Sequence, residues 1–221
     1  MSDRDKFVFS KGHSGLALYA TLCEAGYLSE EVLHTYLKPY CHIGGEPNMR
    51  DLNGIEASTG SLGHGLSVAV GMAMAQKIDN NGAKTYVMIG DGESQEGTIW
   101  EAAMSASSFS LDNLIAILDC NSIQKMNRIE ETLKYVHWKE KWMAFGWNVI
   151  EVDGHDVDRL KETFENLPQN EKPTIIIAHT VKGKGVSIME NNPIWHFKLP
   201  NRKEKKVFME ELGISEEEME V

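Results

Sequence analysis

Tyr86-Val87-Met88-Ile89-Gly90-Asp91-Gly92-Glu93 joins a short apolar run to a turn in which two glycines flank a carboxylate. An apolar run of this length, bounded by a turn signal, is typical of a buried strand. A second apolar run, from Leu114 to Leu118, precedes Asn121, which stands thirty positions after Asp91. Open α/β sheets bind ligands at the carboxyl ends of their strands. Asp91 and Asn121 are therefore expected to project from that edge of a parallel sheet.

The side chains in this pattern predict a magnesium ion bound beside a diphosphate. A carboxylate and a neutral amide oxygen suit a small hard cation, and backbone carbonyl, water and phosphate oxygens complete its octahedron. Gly90 and Gly92 allow the backbone to approach phosphate oxygens more closely than a residue with a Cβ would. A Gly-Asp-Gly triplet alone is also the usual composition of a tight turn. The strands around it and the helix predicted after it are what favour a binding site.

The segments around this motif alternate between strand and helix. Strands are predicted at residues 85–89, 114–118, 147–152 and 174–178, and helices at residues 98–109, 138–145 and 157–167. This alternation predicts an α/β fold in which helices flank a parallel sheet. Further helices are expected from Ser10 to Ala25, from Ser29 to Leu37 and from Arg202 to Leu212, with long loops at residues 39–55 and 181–200.

The segment from Leu62 to Ile78 is predicted to be a helix with an unusual surface. Its residues are apolar or small on nearly every face. Such a helix is expected to be buried on all sides. Because the surface of one domain offers only one side to pack against, this segment is also a candidate for self-association.

Composition limits the kinds of partner that this chain can have. The chain has 221 residues and a net charge of −11, which favours one domain and argues against nucleic acid or an anionic membrane as partners. No apolar run approaches the roughly 20 residues of a membrane span, and a cytoplasmic location is expected. The three cysteines fit no Cys-x-x-Cys spacing, so neither a disulfide framework nor a zinc site is favoured.

Several further motifs carry a resemblance to a known family. They are residues 10–13 (Ser-Lys-Gly-His), 58–63 (Ser-Thr-Gly-Ser-Leu-Gly), 90–97, 100–103, 111–117, 152–156 and 180–185. Together with the Gly-Asp-Gly to Asn spacing, these motifs resemble the thiamine diphosphate enzymes and most closely the transketolase family. The resemblance implies a diphosphate-binding domain over residues 1–212, thiamine diphosphate and Mg²⁺ (or Ca²⁺ or Mn²⁺) as cofactors, and an acidic tail at residues 213–221.

The resemblance also implies roles for particular residues. His13 and His196 would approach the diphosphate and the reacting carbons, whereas the residues alone are equally consistent with a capping histidine and a surface loop histidine. Gly60 and Leu62 would line the aminopyrimidine ring of the cofactor. Gly90, Asp91, Gly92, Glu93 and Asn121 would surround the diphosphate, and Asp91, Asn121 and the carbonyl of Ile123 would hold the metal. Glu46 stands where this family has a histidine that holds the donor hydroxyl, so His13, His196 and Glu46 are the candidate catalytic residues.

The implied activity is transfer of a two-carbon ketol unit from a ketose to an aldose, with sugars or sugar phosphates as substrates. In this family the glutamate that activates the aminopyrimidine belongs to a second, pyrimidine-binding domain, and a substrate-facing histidine belongs to a segment before the first motif. The chain is therefore expected to be the N-terminal subunit of a split transketolase that forms a heterotetramer with a C-terminal subunit.

Two alternatives stay open. One is a component of a 2-oxo-acid dehydrogenase, which shares the Gly-Asp-Gly to Asn spacing but lacks the motifs at residues 10–13 and 58–63. The other is a degenerate, non-catalytic cofactor-binding subunit.

Overall fold

The five strands of the main sheet are parallel and lie in the spatial order β1, β2, β3, β7, β6. The structure is a computed structural model that describes residues 4–125 and 127–215. The strands are β1 (Lys6–Phe9), β2 (Thr85–Gly90), β3 (Leu114–Cys120), β6 (Asn148–Asp153) and β7 (Thr174–His179), and a separate hairpin joins β4 (Ile123–Gln124) to β5 (Asn127–Arg128). The predicted α/β class with a parallel sheet is confirmed.

The central strands are buried, and their register aligns their carboxyl ends. Strands β3 and β7 are buried along most of their length, as expected for strands covered on both faces. In the register of β2 with β3, Gly90 pairs with Asp119. The two strands therefore end side by side, and the turns that follow them lie at the same edge.

The helices lie close to the positions that the sequence predicts. They are α1 (Gly15–Glu24), α2 (Glu30–Leu33), α3 (His64–Ile78), α4 (Gly97–Ser108), α5 (Ile129–Thr132), α6 (Trp138–Ala144), α7 (Val157–Glu165) and α8 (Arg202–Leu212). The prediction for α8 is confirmed at both ends. A capping box explains this, because Asn201 accepts hydrogen bonds from the Lys203 and Glu204 amides while the Glu204 side chain accepts from the Asn201 amide.

Two predictions in the first half of the chain are wrong in detail, and one strand there was not predicted. Ser10 does not cap a helix; its hydroxyl is buried and donates to Glu93, and the helix begins only at Gly15. Strand β1, which the sequence interpretation did not include, lies immediately before Ser10 at the edge of the sheet. Helix α2 is capped by Ser29 as predicted, but it ends at Leu33 and not at Leu37, whose positive φ of 57° cannot continue a right-handed helix.

The prediction that the helix at residues 62–78 is buried on every side is wrong for the single chain. The helix begins after Gly63, which has a left-handed backbone (φ 86°), and one face packs in the core through Leu66, Ala69 and Ala73. The opposite face is exposed and consists mainly of small or apolar residues, namely Ser67, Val68, Gly71, Ala75 and Ile78. This composition is more typical of a buried contact than of a solvated surface.

Several expectations of the sequence analysis concern what the chain lacks. Within residues 4–125 and 127–215, each helix is too short or too polar to cross a lipid bilayer. Cys23, Cys41 and Cys120 are all free thiols in this part of the chain. Residues 216–221, which make up most of the predicted acidic tail, lie outside the described residues.

Candidate active site

A cavity of about 340 Å³ opens at the carboxyl edge of the sheet, between the turn after β2 and the turn after β3. It brings together residues that are far apart in the sequence. The predicted site residues that line it are His13, Leu62, Gly90, Asp91, Gly92, Glu93, Asn121, Ile123 and His196. Lys11, Gln124, Lys125 and Lys182 line it as well, and the sequence interpretation assigned no site role to them. Gly60 and Glu46 lie beside His13 and do not line this cavity.

Asp91 is held rigidly at the bottom of this cavity. The residue is only 2% exposed. One carboxylate oxygen accepts from the Gly92 amide at 2.8 Å and the other from the Ser122 amide at 2.6 Å. Burial nevertheless raises the pKa of Asp91 to about 6, because these hydrogen bonds do not fully compensate for lost hydration. A divalent cation bound at this carboxylate would stabilise its ionised form.

Asn121 lies next to Asp91 with its amide oriented by two neighbours. Its Oδ1 accepts from the Ile123 amide at 3.0 Å, and its Nδ2 donates to Asp119 at 3.2 Å. Among the residues that the structure describes, no three His, Cys, Asp or Glu side chains converge as a metal cluster. One buried carboxylate with one amide oxygen is instead the kind of set that Mg²⁺ accepts when phosphate oxygens and water supply the other positions. The residues present therefore fit the implied metal.

Glu93 lines the cavity, but its carboxylate is engaged by other segments of the chain. Its carboxylate is buried and accepts from the Ser10 hydroxyl, from the Gly63 amide at 2.9 Å and from the Gly90 amide at 3.0 Å. Ser10 follows β1, Gly63 precedes α3, and Gly90 is the last residue of β2. Glu93 thus fastens three segments around the cavity, and the Gly90 amide, which serves Glu93, is not available to phosphate.

Three lysines (Lys11, Lys125 and Lys182) line the cavity together with three acidic residues (Asp91, Glu93 and Glu96). Lys11 forms an ion pair with Asp119. Lys182 makes no hydrogen bond or ion pair through its ammonium with any described residue, and burial, followed by the nearby charge of Lys11, lowers its pKa. Lys184, in contrast, is exposed, and its ammonium lies 3.8 Å from a carboxylate oxygen of Glu190. An unpaired lysine in a cavity is a binding site for an anion.

His196 lines the same cavity, near Lys182. It ends a short 3₁₀ turn, Pro193–His196, that starts at Asn192, whose side chain accepts from the Ile194 amide. Partial burial of the ring lowers its pKa, and the charge of Lys182 adds to the effect. His196 is therefore neutral at pH 7 and can either accept or donate a hydrogen bond.

His13 and Glu46, predicted on separate grounds, contact each other. The His13 Nε2 lies 3.3 Å from a Glu46 carboxylate oxygen, and both side chains are about half exposed. The same carboxylate rests against Gly60, where an added Cβ would overlap it. The backbone of Glu46 is fixed by Tyr19, whose hydroxyl donates to its carbonyl at 3.0 Å. Glu46 therefore occupies the space that a side chain at position 60 would need, and the contact of Gly60 with a cofactor ring stays a prediction.

A buried Asp and Asn lie near Lys11, Lys182 and His196 at the carboxyl edge of a parallel sheet, and this set of side chains suits a protein that binds a phosphorylated ligand. Over residues 1–221 the chain matches the family described as transketolase, thiamine diphosphate binding domain, and it belongs to that family. The family resemblance drawn from the motifs is confirmed.

Relatives named as transketolase subunits are among the most similar proteins. One of them is named as a subunit of the apulose-4-phosphate transketolase of Phocaeicola vulgatus, and the chain is 44% identical to it over 98% of its own length and 77% of that protein. The chain is also 44% identical to the 6-deoxy-6-sulfo-D-fructose transketolase subunit SqwG of a Clostridium species, over 88% of this chain and 71% of that protein.

The fold of this chain also matches solved structures of transketolases. The transketolase of Campylobacter jejuni superposes with a TM-score of 0.90 at 33% identity, over 97% of this chain and 35% of that chain. A transketolase variant of Pichia stipitis gives a TM-score of 0.88 at 29% identity. The present chain spans about a third of the length of these solved chains.

Proposed function

We propose that this chain is the thiamine diphosphate-binding subunit of a two-subunit transketolase, which transfers a two-carbon ketol unit from a ketose to an aldose. The observation that carries the proposal is the cavity in which the Asp91 and Asn121 pair lies among Lys11, Lys182 and His196. When bound, thiamine diphosphate supplies the carbanion that adds to the ketose carbonyl. The chain binds, orients and neutralises the cofactor, with residues 1–212 as its binding domain.

Each part of the cavity has a role in this proposal. Asp91, Asn121 and the carbonyl of Ile123 hold Mg²⁺, and Ca²⁺ or Mn²⁺ can replace it. Lys182 balances part of the charge of the diphosphate, and His13, which lines the cavity, contacts it. Gly90 and Gly92 allow close approach without donating amides, because the Gly90 amide already donates to Glu93 and the Gly92 amide to Asp91. Leu62, which lines the cavity, and Gly60, which lies outside it beside Glu46, are the proposed contacts of the aminopyrimidine. His196 is neutral, and it can hold a substrate hydroxyl or carry a proton.

The partner in this proposal is a C-terminal subunit with the pyrimidine-binding domain. The names of the relatives, each of which designates one subunit of a transketolase, support the existence of such a partner. Self-association through the exposed face of α3 would complete a heterotetramer. Val68, Gly71 and Ala75 lie on that face and are exposed. A Cβ added at Gly71 would meet no described atom of the chain within 4 Å, so a second chain has room to approach there.

The sugar substrates and the cellular location are further parts of the proposal. The names of the two-subunit relatives refer to a sugar phosphate and to a sulfonated sugar. We therefore favour ketoses that carry a phosphate or sulfonate at the end away from the carbonyl. A cytoplasmic location stays a prediction.

Calorimetry of the full chain with thiamine diphosphate and MgCl₂ tests the proposal directly. We expect heat that depends on magnesium and disappears when EDTA is added, because metal and diphosphate share one site. A degenerate chain that has lost the site would give no heat with either component, whereas a degenerate cofactor-binding subunit would give heat but no ketol transfer once the partner is present. If binding is found and the chain supports turnover of pyruvate but not of ketoses once its partner is present, the 2-oxo-acid dehydrogenase alternative replaces this one.

The Glu46→His substitution is expected to change donor preference. It removes a negative charge beside His13 and supplies a hydrogen-bond donor near the sugar hydroxyls, so kcat/KM for ordinary ketose phosphates should rise about tenfold relative to the best substrate of the natural chain. A panel of ketoses, measured with the partner present, provides the comparison. Glu46→Gln is the matched control, since it removes the charge but keeps the size. Identical donor profiles in all three proteins would place Glu46 outside the substrate pocket.

A further inference from the structure

Asp119 occupies a central position beside the cavity without lining it. Its side chain is only 15% exposed, at the end of β3 and two residues before Asn121. Its carboxylate accepts from the Lys11 ammonium, from the Thr180 hydroxyl and from the Asn121 Nδ2. Lys11 follows β1 and Thr180 follows β7. One carboxylate therefore ties together segments that span four adjacent strands of the sheet.

The contact with Asn121 determines which atom of the amide can face a cation. An ionised carboxylate only accepts hydrogen bonds, so the NH₂ group of Asn121 must turn toward Asp119. The Oδ1 atom is then directed away from Asp119 and is held by the Ile123 amide at 3.0 Å. Oδ1 has a second lone pair, and it is the only atom of this amide that can coordinate Mg²⁺.

The ion pair between Asp119 and Lys11 fixes the position of the Lys11 ammonium. Lys11 lies along the backbone of Gly90, where an added Cβ would come within 3.5 Å of its Cε atom. Without Asp119 the ammonium would be repelled by Lys182, which lines the same cavity. The ion pair therefore keeps Lys11 next to the turn that carries Asp91.

We propose that Asp119 is a positioning residue for cofactor binding, acting through the Asn121 amide and the Lys11 ammonium without touching metal or diphosphate itself. The inference rests on the proposed function of the cavity. Its physical basis is that partners which orient a metal ligand affect metal affinity although they lie outside the coordination sphere.

The test compares Asp119→Asn, Asp119→Glu and the natural full-length chain in titrations of MgCl₂ at a fixed concentration of thiamine diphosphate, followed by calorimetry. Asp119→Asn removes the charge that holds Lys11 and can offer its own NH₂ to Asn121. Asp119→Glu keeps the charge but moves the carboxylate by one methylene. We expect the half-saturating magnesium concentration to rise by about 10- to 100-fold in Asp119→Asn and by about tenfold in Asp119→Glu.

Thr180→Val is the matched control, because it removes one hydrogen bond from Asp119 without altering Lys11 or Asn121. We expect it to lower the melting temperature while the half-saturating magnesium concentration stays within about twofold of the natural value. The electron paramagnetic resonance spectrum of bound Mn²⁺ provides an independent signature. It should change in both Asp119 variants at saturation and should be unaltered in Thr180→Val.

The outcomes distinguish this inference from the proposed function. If the natural chain binds thiamine diphosphate with magnesium and the folded Asp119 variants bind as well as it does, the positioning role is wrong and the proposed function stands. If the natural chain shows no magnesium-dependent binding, both are wrong. If Asp119→Asn does not fold, Asp119→Glu decides the question in the same titration and the same spectra.

Discussion

Replacing Asp91 by alanine is expected to abolish magnesium-dependent binding of thiamine diphosphate, with a loss of more than about 100-fold in affinity. Among the described residues, two buried carboxylates line the cavity. Glu93 accepts hydrogen bonds from three donors, whereas Asp91 accepts from two backbone amides and forms no ion pair with a described lysine. Water cannot replace a metal ligand that two backbone amides hold in place. Asn121→Ala should weaken binding by about tenfold or more. Calorimetry with and without EDTA measures both effects.

Asp112→Ala is the matched control for this experiment. Asp112 is an exposed aspartate at the opposite edge of the sheet, where it pairs with Lys77 at 2.9 Å, so its removal should leave cofactor affinity unchanged. Unchanged affinity in Asp91→Ala would instead mean that residues 90–92 form only a turn.

Acid should imitate the Asp91 substitution. Burial raises the pKa of Asp91 to about 6, so a proton competes with magnesium for this carboxylate as the pH falls. Magnesium affinity should decrease by about tenfold for each pH unit below 6. In the ligand-free chain the effect of pH on folding stability has the opposite direction. Protonated Asp91 stabilises the fold below its ordinary carboxyl pKa, and this contribution is lost as the pH rises through about 6.

The purified chain by itself is expected to show no ketol transfer, and addition of its partner subunit should raise turnover by more than about 1,000-fold. The reason is that this chain supplies the diphosphate and metal contacts, while in the proposed assembly the partner supplies the glutamate for the aminopyrimidine; removing such a group from a catalytic set costs factors of this size. A coupled assay with a ketose donor and an aldose acceptor measures turnover.

Two mixtures make this result specific. Asp112→Ala with the partner should be as active as the natural pair, whereas Asp91→Ala with the partner should be inactive. Substantial ketol transfer by the purified chain alone would show that the second half of the pocket is not needed, and the two-subunit proposal would be wrong.

Local sequence was sufficient for four of the five strands of the main sheet and for placing Asp91 and Asn121 at the same end of that sheet. Tyr86 to Ile89 and Leu114 to Leu118 are apolar runs that end at Gly90 and shortly before Asn121, and the sheet places them side by side. Strand period and turn composition are properties of neighbouring residues, so they can be recognised without tertiary contacts. The same holds for the capping box at Asn201 and for the cap at Asp156, whose side chain accepts from the Arg159 amide.

The roles of Glu93, Lys182 and Asp119 depend on contacts between distant residues. Glu93 could be assigned to the cofactor from its motif, but the structure gives its carboxylate three donors from other segments. Lys182 differs from Lys184 only in burial, which no local pattern reports.

The sequence by itself determined the parallel α/β fold, the Asp91 and Asn121 pair and the family, because each rests on short-range patterns of apolar, glycine and polar residues. Only the tertiary structure decided that His13 meets Glu46 over Gly60, that Asp119 joins Lys11 to Asn121, and that one face of α3 is exposed. The physical reason is that these features are set by how strands and loops far apart in the chain pack at one edge of the sheet. Hydrogen bonding and burial there depend on partners that a linear pattern does not contain.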